Sequence, residues 1–353
     1  MKTQKTVLLG MSGGVDSSVA ALLLKRGGYR VIGAFMKNFS ESKNKVTGEC
    51  NWIEDQRMAK RVAGILGIEF ITLDFEKEFG ERVINPLFRD YSRGLTPNPD
   101  ILCNKIIKFP LLWREAKRIG ADFIATGHYA RIKRTRRGFE LLAGKDKGKD
   151  QSYFLAELGQ KDLGHTLFPL GNLMKGKVRE IARKARFPNF DRQGSRGICF
   201  VGKVDLRSFL GQKIKGRKGQ VIDKEGKIIG YHPGAMYYTI GQRIGERLGF
   251  ELLNDKGNDK LYIAAKKGNT IVAVPAGDDL LKRKEIKING IHFIGGKESK
   301  GLKARIRHLG KLYGGKLKGN KFVFSKPVEA LAEGQFIVIY SGEKVLASGE
   351  MRF

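Results

Sequence analysis

The sequence predicts an α/β fold: an N-terminal doubly wound parallel sheet followed by two small β-rich domains, the last a β-barrel. Three observations predict it. Short apolar runs alternate with helical periodicity through the first third of the chain, and a glycine-rich turn follows the first of those runs. From about Gly216 the texture changes to frequent glycines, short strand patterns and recurring turn signals. At 353 residues the chain is too long for one compact core. The expected division is 1–203, 204–277 and 278–353.

Each element follows from its local pattern. Thr6–Gly10 (TVLLG) reads as the first strand, then a glycine-rich turn and a helix through Ala20–Lys25. Tyr29–Met36 reads as a second strand. Cys50–Leu66 reads as a helix, with Trp52, Ile53, Met58, Val62 and Ile65 apolar at roughly helical spacing. Glu69–Leu73 is a third strand and Phe79–Tyr91 another helix. Gly94–Pro99 (GLTPNP) must be a loop, because two prolines flank a single residue. Phe109–Ile119 reads as helical, and Asp122–Thr126 as a fourth strand ending in Gly127 and His128. Arg131–Ala143 has the pattern of a basic hairpin and Lys175–Arg186 of a short basic helix. Turn signals stand at Asp223–Gly226 and Asn254–Gly257, and a boundary at Ala276–Leu281 divides the β-rich region.

Charge is the loudest compositional feature. Lys and Arg total 67 against 36 Asp and Glu, a formal +31. The excess is uneven: Arg131–Lys149 carries Arg131, Lys133, Arg134, Arg136, Arg137, Lys145, Lys147 and Lys149 against Glu140 and Asp146. Lys175–Lys218 is similarly basic, whereas Glu69–Glu81 is mostly acidic. Clustering of this kind favours a polyanionic partner over a uniformly lysine-rich composition. No run of apolar residues reaches membrane-spanning length, so no membrane partner is expected. Residues 1–10 lack the apolar core of a signal peptide, and three scattered cysteines make no disulfide framework. The expected compartment is the cytoplasm, the expected state a monomer.

The strongest local motif is Gly10, Met11, Ser12, Gly13, Gly14, Val15, Asp16 and Ser17, directly after the first strand. Glycines let the backbone approach a ligand, while N–H groups and serines at a helix start form an anion nest. No Gly-Lys-Ser/Thr end is present, so this is no Walker A loop. Asp16 is a Mg²⁺ partner or a brace for the loop. Cys103 has two readings. A lone cysteine is usually a small buried hydrophobe, yet a helix is expected to begin here, and Lys105 and Lys108 follow; both features favour a thiolate. Asp100, three residues earlier, is a proton acceptor or donor, or else an N-cap. Cys199, within Ile198–Val201, reads on local pattern as a buried strand residue. Cys50 reads as structural.

SGGVDS resembles the signature of the N-type ATP pyrophosphatases (the PP-loop superfamily, adenine nucleotide alpha-hydrolase-like in fold), whose loop grips pyrophosphate. With MKNF, TPNPDILCNKIIKF, ATGHY, KDQSYFL, LFPLG, GICFVG and YTIGQR, the chain from Gly10 to about Arg243 resembles the tRNA-specific 2-thiouridylases. The resemblance implies ATP as cofactor, with Met36 and Gly127 beside the loop in contact with the nucleotide. It implies adenylation of O2 of the wobble uridine in a tRNA anticodon loop. Sulfur would then arrive from a sulfur-donor relay protein as a persulfide on Cys199. Cys103 would attack or resolve that persulfide, through a Cys103–Cys199 disulfide or by hydrosulfide release, with Asp100 assisting proton transfer. Asn98, Pro99 and Asp100 match the segment that meets the target base, flipped from its stack, and His128 would lie near it. Lys149, Asp150 and Gln151 match a tRNA-contacting segment, as do Arg307, His308 and Gln335 in the last domain. Phosphate contacts are expected over the basic hairpin and Lys175–Lys218.

Two departures stand out: Ser195-Arg196-Gly197 replaces the usual Ser-Thr-Gly before the second cysteine, and Ile106 stands where an acidic residue is common. Three rivals remain. An amidating synthetase would use the same loop but needs an ammonia source. A thiolase with an iron–sulfur cluster would use Cys50, Cys103 and Cys199, whose spacing fits no cluster. A basic RNA-binding module leaves the glycine-rich loop without a task.

Overall fold

The computed structural model describes residues 4–40, 50–193, 206–253, 260–296 and 300–353. The first sheet is parallel, in the order β3-β2-β1-β4-β7: β1 is Thr6–Gly10, β2 Arg30–Lys37, β3 Glu69–Asp74, β4 Phe123–Ala125 and β7 Thr166–Leu167. Parallel strands are covered on both faces, and so Val7, Leu8 and Leu9 are all fully buried. On one face lie the helices Val15–Arg26, Asn51–Leu66 and Lys175–Lys184, whose apolar sides share a core with Val7, Leu9, Val31 and Phe35. Leu8, Ile32, Ala34 and Met36 face the opposite core, built with Phe79, Phe88, Ile101, Cys103 and Leu112. The alternation of β2 between these two cores is the strand period of two.

Several boundaries move. The first helix begins already at Val15, because Gly14 is its extended N-cap. The stretch expected as one helix over Phe79–Tyr91 is α-helical at Glu76–Phe79, passes through a π turn at Gly80–Ile84, and resumes at Asn85–Ser92. Pro99 is no longer loop. It is the first residue of a helix Pro99–Cys103, where its missing N–H costs nothing. A π turn, Asn104–Lys108, joins that helix to Phe109–Arg118. The two-residue β7 is too short to leave a sequence signal.

The basic hairpin forms as β5 (Ala130–Thr135) and β6 (Gly138–Ala143), but it is not a free arm. Leu142 of β6 pairs with Lys344, and Ala143 N donates to Glu343 O at 2.8 Å. Arg131 and Lys147 both bridge to Glu343. Lys133, Arg134, Arg136 and Arg137 remain exposed. The second unit is a sheet of β8 (Gly219–Ile222), β9 (Ile228–His232), β10 (Glu251–Leu252), β11 (Leu261–Lys267) and β12 (Thr270–Pro275), in the order β10-β9-β8-β12-β11. The expected turn closes there with Gly226 N on Asp223 O at 3.2 Å, whereas Asn254–Gly257 lies outside the described residues.

The third unit is β13 (Lys282–Phe293), β14 (Leu302–Arg305), β15 (Tyr313–Lys318), β16 (Lys321–Glu329), β17 (Phe336–Ser341) and β18 (Lys344–Arg352). Pairing of β13 with both β16 and β18 closes these six strands into an antiparallel barrel. Closure removes its edges. Among the described residues, no helix is long and apolar enough to cross a membrane.

The barrel is bolted to the first unit by a buried ion pair. Arg305 Nη1 donates to Asp150 Oδ2 at 2.6 Å, and Asp150 Oδ1 accepts from Gly144 N (2.9 Å) and Ser152 N (3.0 Å). Asp150 is 0% and Arg305 8% exposed. Removing one member of such a pair leaves the other charge buried and uncompensated. Arg305→Met is therefore expected to lower unfolding free energy by about 3–5 kcal/mol in urea titration, with part of the loss recovered when Asp150→Asn is added.

Candidate active site

The glycine-rich loop is held in one shape by close contacts on every side. Met11 N donates to Ala34 O at 2.8 Å as the chain leaves β1. Ser12 N donates to Ser17 Oγ (3.2 Å), and the hydroxyls of Ser17 and Ser18 donate to Gly14 O at 3.0 and 3.1 Å. Gly13 has φ +75°, and a Cβ there would lie 2.3 Å from Asp55 O, so both conformation and space demand glycine. A Cβ on Gly127 would lie 2.8 Å from Ser17 N, which seats the loop after β4 directly against the helix start. Gly10 to Ser17 and Gly127 are thus brought together at the carboxyl edge of the sheet, where open α/β folds bind ligands.

Met36 lies on the adjoining strand. Ala34 turns its carbonyl toward β1, while Lys37 turns its own toward β3, accepting from Phe75 N at 2.8 Å. Alternate residues of a strand bond to the same side, so Met36 directs its N–H and C=O past the end of β1, over the loop.

Residues the sequence reading missed complete this site. Asp16 Oδ1 accepts from Lys175 Nζ (2.6 Å) and from the Tyr129 hydroxyl (2.7 Å). Burial first, then Asp16, keeps the Tyr129 hydroxyl protonated by raising its pKa. Asn189 Nδ2 donates to Gly13 O (2.7 Å) and Ser18 Oγ (3.0 Å). Arg192 bridges to Asp55 at 2.8 Å, and burial raises the Asp55 pKa despite that cation. These bonds span more than a hundred residues, and nothing local announces them. Lys175, heading the basic helix, and Tyr129, in the ATGHY motif, were the ones that carried a signal.

Cys103 sits differently from the expectation. The helix starts at Pro99, so Cys103 ends its first turn, and the thiol is 0% exposed among Leu8, Met36, Ile101 and Ile107. The helix-start argument for a thiolate therefore fails, since the orphan N–H groups lie a turn away. Lys105 is turned to the buried Glu157 carboxylate at 2.7 Å. Asp100 is not the cap either: Asn98 is, its Oδ1 accepting from Ile101 N at 3.1 Å. Cys50, half-buried, donates its Sγ–H to Ser40 O at 3.1 Å, in keeping with a structural role. Cys199, with Ser195, Arg196 and Gly197, lies outside the described residues. Among the described residues, no group of three His, Cys, Asp or Glu side chains could hold a metal.

The residues expected to meet RNA divide. His128 follows β4 by three residues, its Nδ1 2.7 Å from Thr126 Oγ1 and its ring 5.9 Å from that of Phe109. Burial, with Lys108 nearby, holds it well below the ordinary imidazole range, so it is neutral. Lys149 and Arg307 are exposed. Asp150 is corrected from a surface contact to a buried strut, both carboxylate oxygens being used inside the protein. Gln151 accepts from Tyr129 N at 3.0 Å. Gln335 accepts from Asn98 Nδ2 at 3.2 Å, which joins two expected contacts to each other. The His308 ring packs on that of Phe154, tilted by 32° with centroids 4.2 Å apart.

Three family models tile the chain. A tRNA methyl transferase HUP domain matches residues 5–203, a tRNA methyl transferase PRC-barrel domain residues 207–274, and an aminomethyltransferase beta-barrel domain residues 283–351. Curated relatives named tRNA-specific 2-thiouridylase MnmA, from Streptococcus pyogenes serotypes M1 and M28 (strain MGAS6180), are each 40% identical over 354 residues, covering 97% of this chain and 94% of theirs. Among solved structures, a 4-thiouridine synthetase–RNA complex with bound ATP aligns over 59% of this chain and 50% of that chain (14% identity, TM-score 0.39). An NMN synthetase from Francisella tularensis aligns over 55% and 67% (16% identity, TM-score 0.35). Both likenesses are too loose to carry an argument.

Burial pushes the His308 pKa down from 6.5 to about 4. Between those values the unfolded chain binds the extra proton, so this group's contribution to stability falls as pH drops through that window. His308→Gln is expected to flatten the decline of Tm on acidification, measured by calorimetry; an unchanged slope would contradict the assignment.

Proposed function

The chain belongs to the tRNA-specific 2-thiouridylase family, and from that premise we propose that it replaces O2 of a tRNA wobble uridine with sulfur at the expense of ATP. The observation that carries the reading is the loop: a rigid anion nest at a sheet edge, without Walker chemistry, suited to a released pyrophosphate. Gly10 to Ser17 hold the phosphates, and Gly127 and the backbone of Met36 receive the adenosine. A pyrophosphate leaving group fits Mg²⁺ carried on the nucleotide, with Asp16 as a carboxylate at the loop. Lys175, already on Asp16, adds positive charge for the same phosphates.

The uracil C2 oxygen attacks the α-phosphorus and expels pyrophosphate, which turns a poor leaving group into AMP. The terminal sulfur of a Cys199 persulfide is the nucleophile that displaces AMP. The Cys103 thiolate breaks the S–S bond by attacking Cys199 Sγ, either after the terminal sulfur has bonded to C2 or before, when it leaves as hydrosulfide. Both routes end in a Cys103–Cys199 disulfide that an external dithiol reduces. Asp100 takes or gives the proton, and Asn98, Pro99 and neutral His128 border the base. Because Cys103 is 0% exposed here, RNA binding has to open a path to its thiol. Exposed Lys149, Arg307 and hairpin residues Lys133, Arg134, Arg136 and Arg137 supply phosphate contacts. Sulfur comes from a relay protein, and the enzyme acts as a cytoplasmic monomer. A methyl-transfer reading, prompted by the description of the domain models, gives the pyrophosphate loop no task.

Incubation with ATP, a persulfide donor and total tRNA, followed by nucleoside mass spectrometry, is expected to yield a 2-thiouridine. Cys103→Ser and Cys199→Ser should each abolish it while tRNA affinity is retained; wild-type turnover in either rejects the mechanism. Asp16→Ala should remove tRNA-dependent AMP formation.

A further inference from the structure

We propose that Gln335 is a positioning residue, which sets the helix bearing Asp100 and Cys103 by holding its cap, Asn98. The proposal rests on the function above for its consequence, and on geometry alone for its cause.

Helix Pro99–Cys103 is the first turn of a helical stretch that runs on through Asn104–Lys108 to Arg118, and its first residue, a proline, offers no N–H. Its start therefore depends on the bond from Ile101 N to Asn98 Oδ1, 3.1 Å. That bond commits the Asn98 oxygen, so its Nδ2 must find an acceptor. The acceptor is Gln335 Oε1 at 3.2 Å, and Gln335 Nε2 in turn donates to Pro97 O at 3.4 Å. The two amides fix each other's orientation, because reversing either would set donor against donor or acceptor against acceptor. Gln335 is itself fixed to the barrel, its carbonyl accepting from Met351 N at 2.7 Å.

The surrounding contacts make this a rigid seat. Thr96 N donates to Glu333 O at 2.8 Å. Gly334 has φ +90°, and a Cβ there would lie 2.9 Å from Thr96 N. From the central unit, Lys266 Nζ donates to Gly94 O (2.5 Å) and Tyr238 O (2.8 Å), and Thr96 Oγ1 donates to Thr239 Oγ1 at 3.2 Å. The later units thus converge on Gly94–Asn98, and Gln335 is the strut that reaches the helix cap. A shift of the cap is carried through one turn to Cys103, where small misplacements are costly in rate.

A double-mutant cycle tests this. Single-turnover thiolation at saturating tRNA, and tRNA affinity, are measured for Asn98→Ala, Gln335→Ala and the pair. Each single variant is expected to lose on the order of tenfold to a hundredfold in rate. The pair should be no slower than the worse single, and Gln335→Ala alone should leave tRNA affinity unchanged. Gln335→Glu keeps the acceptor for Asn98 Nδ2 and should regain part of the rate. A direct RNA contact predicts the reverse: weakened affinity in Gln335→Ala, worse in Gln335→Glu. Amide hydrogen exchange over residues 96–103 of the RNA-free protein supplies an arm that needs no catalysis, and Gln335→Ala should accelerate it. Additive rate losses or unchanged exchange would overturn the proposal. An inactive wild type with accelerated exchange in the variant would reject the function and leave the positioning intact.

Discussion

The carboxylate of Asp150, sealed from water, is the constraint on which the arrangement of the units depends. It sits in the segment that follows the basic hairpin and takes three donors: two backbone N–H groups of its own turn and the guanidinium of Arg305. The first two fold the turn into shape; the third makes that shape conditional on the barrel. Ser152, two residues on, meets the Tyr340 hydroxyl at 3.2 Å, and the Tyr153 hydroxyl reaches Phe336 O at 2.8 Å. A chain carrying +31 would be expected to keep its units apart by repulsion. Here one negative charge, placed where solvent does not screen it, draws a cation across that boundary.

The first sheet was legible because a parallel strand buried on both faces writes an unbroken apolar run. TVLLG is such a run, and of the glycines after it Gly13 is required both by its positive φ and by the close approach of Asp55. The basic hairpin was legible from its local pattern. Its seat against Lys344 was not, because strand partners two hundred residues away leave no mark on either segment. The same holds for Asn189 under Gly13, and for Gln335 beside Asn98.

Cys103 shows the opposite failure. The local pattern suggested a helix start with lysines beside a thiol, and both the helix start and Lys105 lie elsewhere. The helix starts a turn earlier, at a proline, and Lys105 turns away to Glu157. Asp150 failed for a related reason: a short polar stretch, Lys149-Asp150-Gln151, reads as a surface turn, yet its middle residue is the most buried. In both places, polarity in the sequence marked a group with a partner rather than a group in water.

The seating of the hairpin on the barrel has a consequence for biosynthesis. Leu142 waits for Lys344, a partner roughly two hundred residues later, which at about 5–20 residues per second takes on the order of tens of seconds to emerge. During that interval β6 presents an unpaired strand edge on the ribosome-bound chain. Lys133, Arg134, Arg136 and Arg137, on β5 and the turn beside that edge, then act as gatekeepers, since like charge disfavours annealing of one nascent hairpin to another. The cations proposed above to meet RNA phosphates in the finished protein would protect the unfinished one.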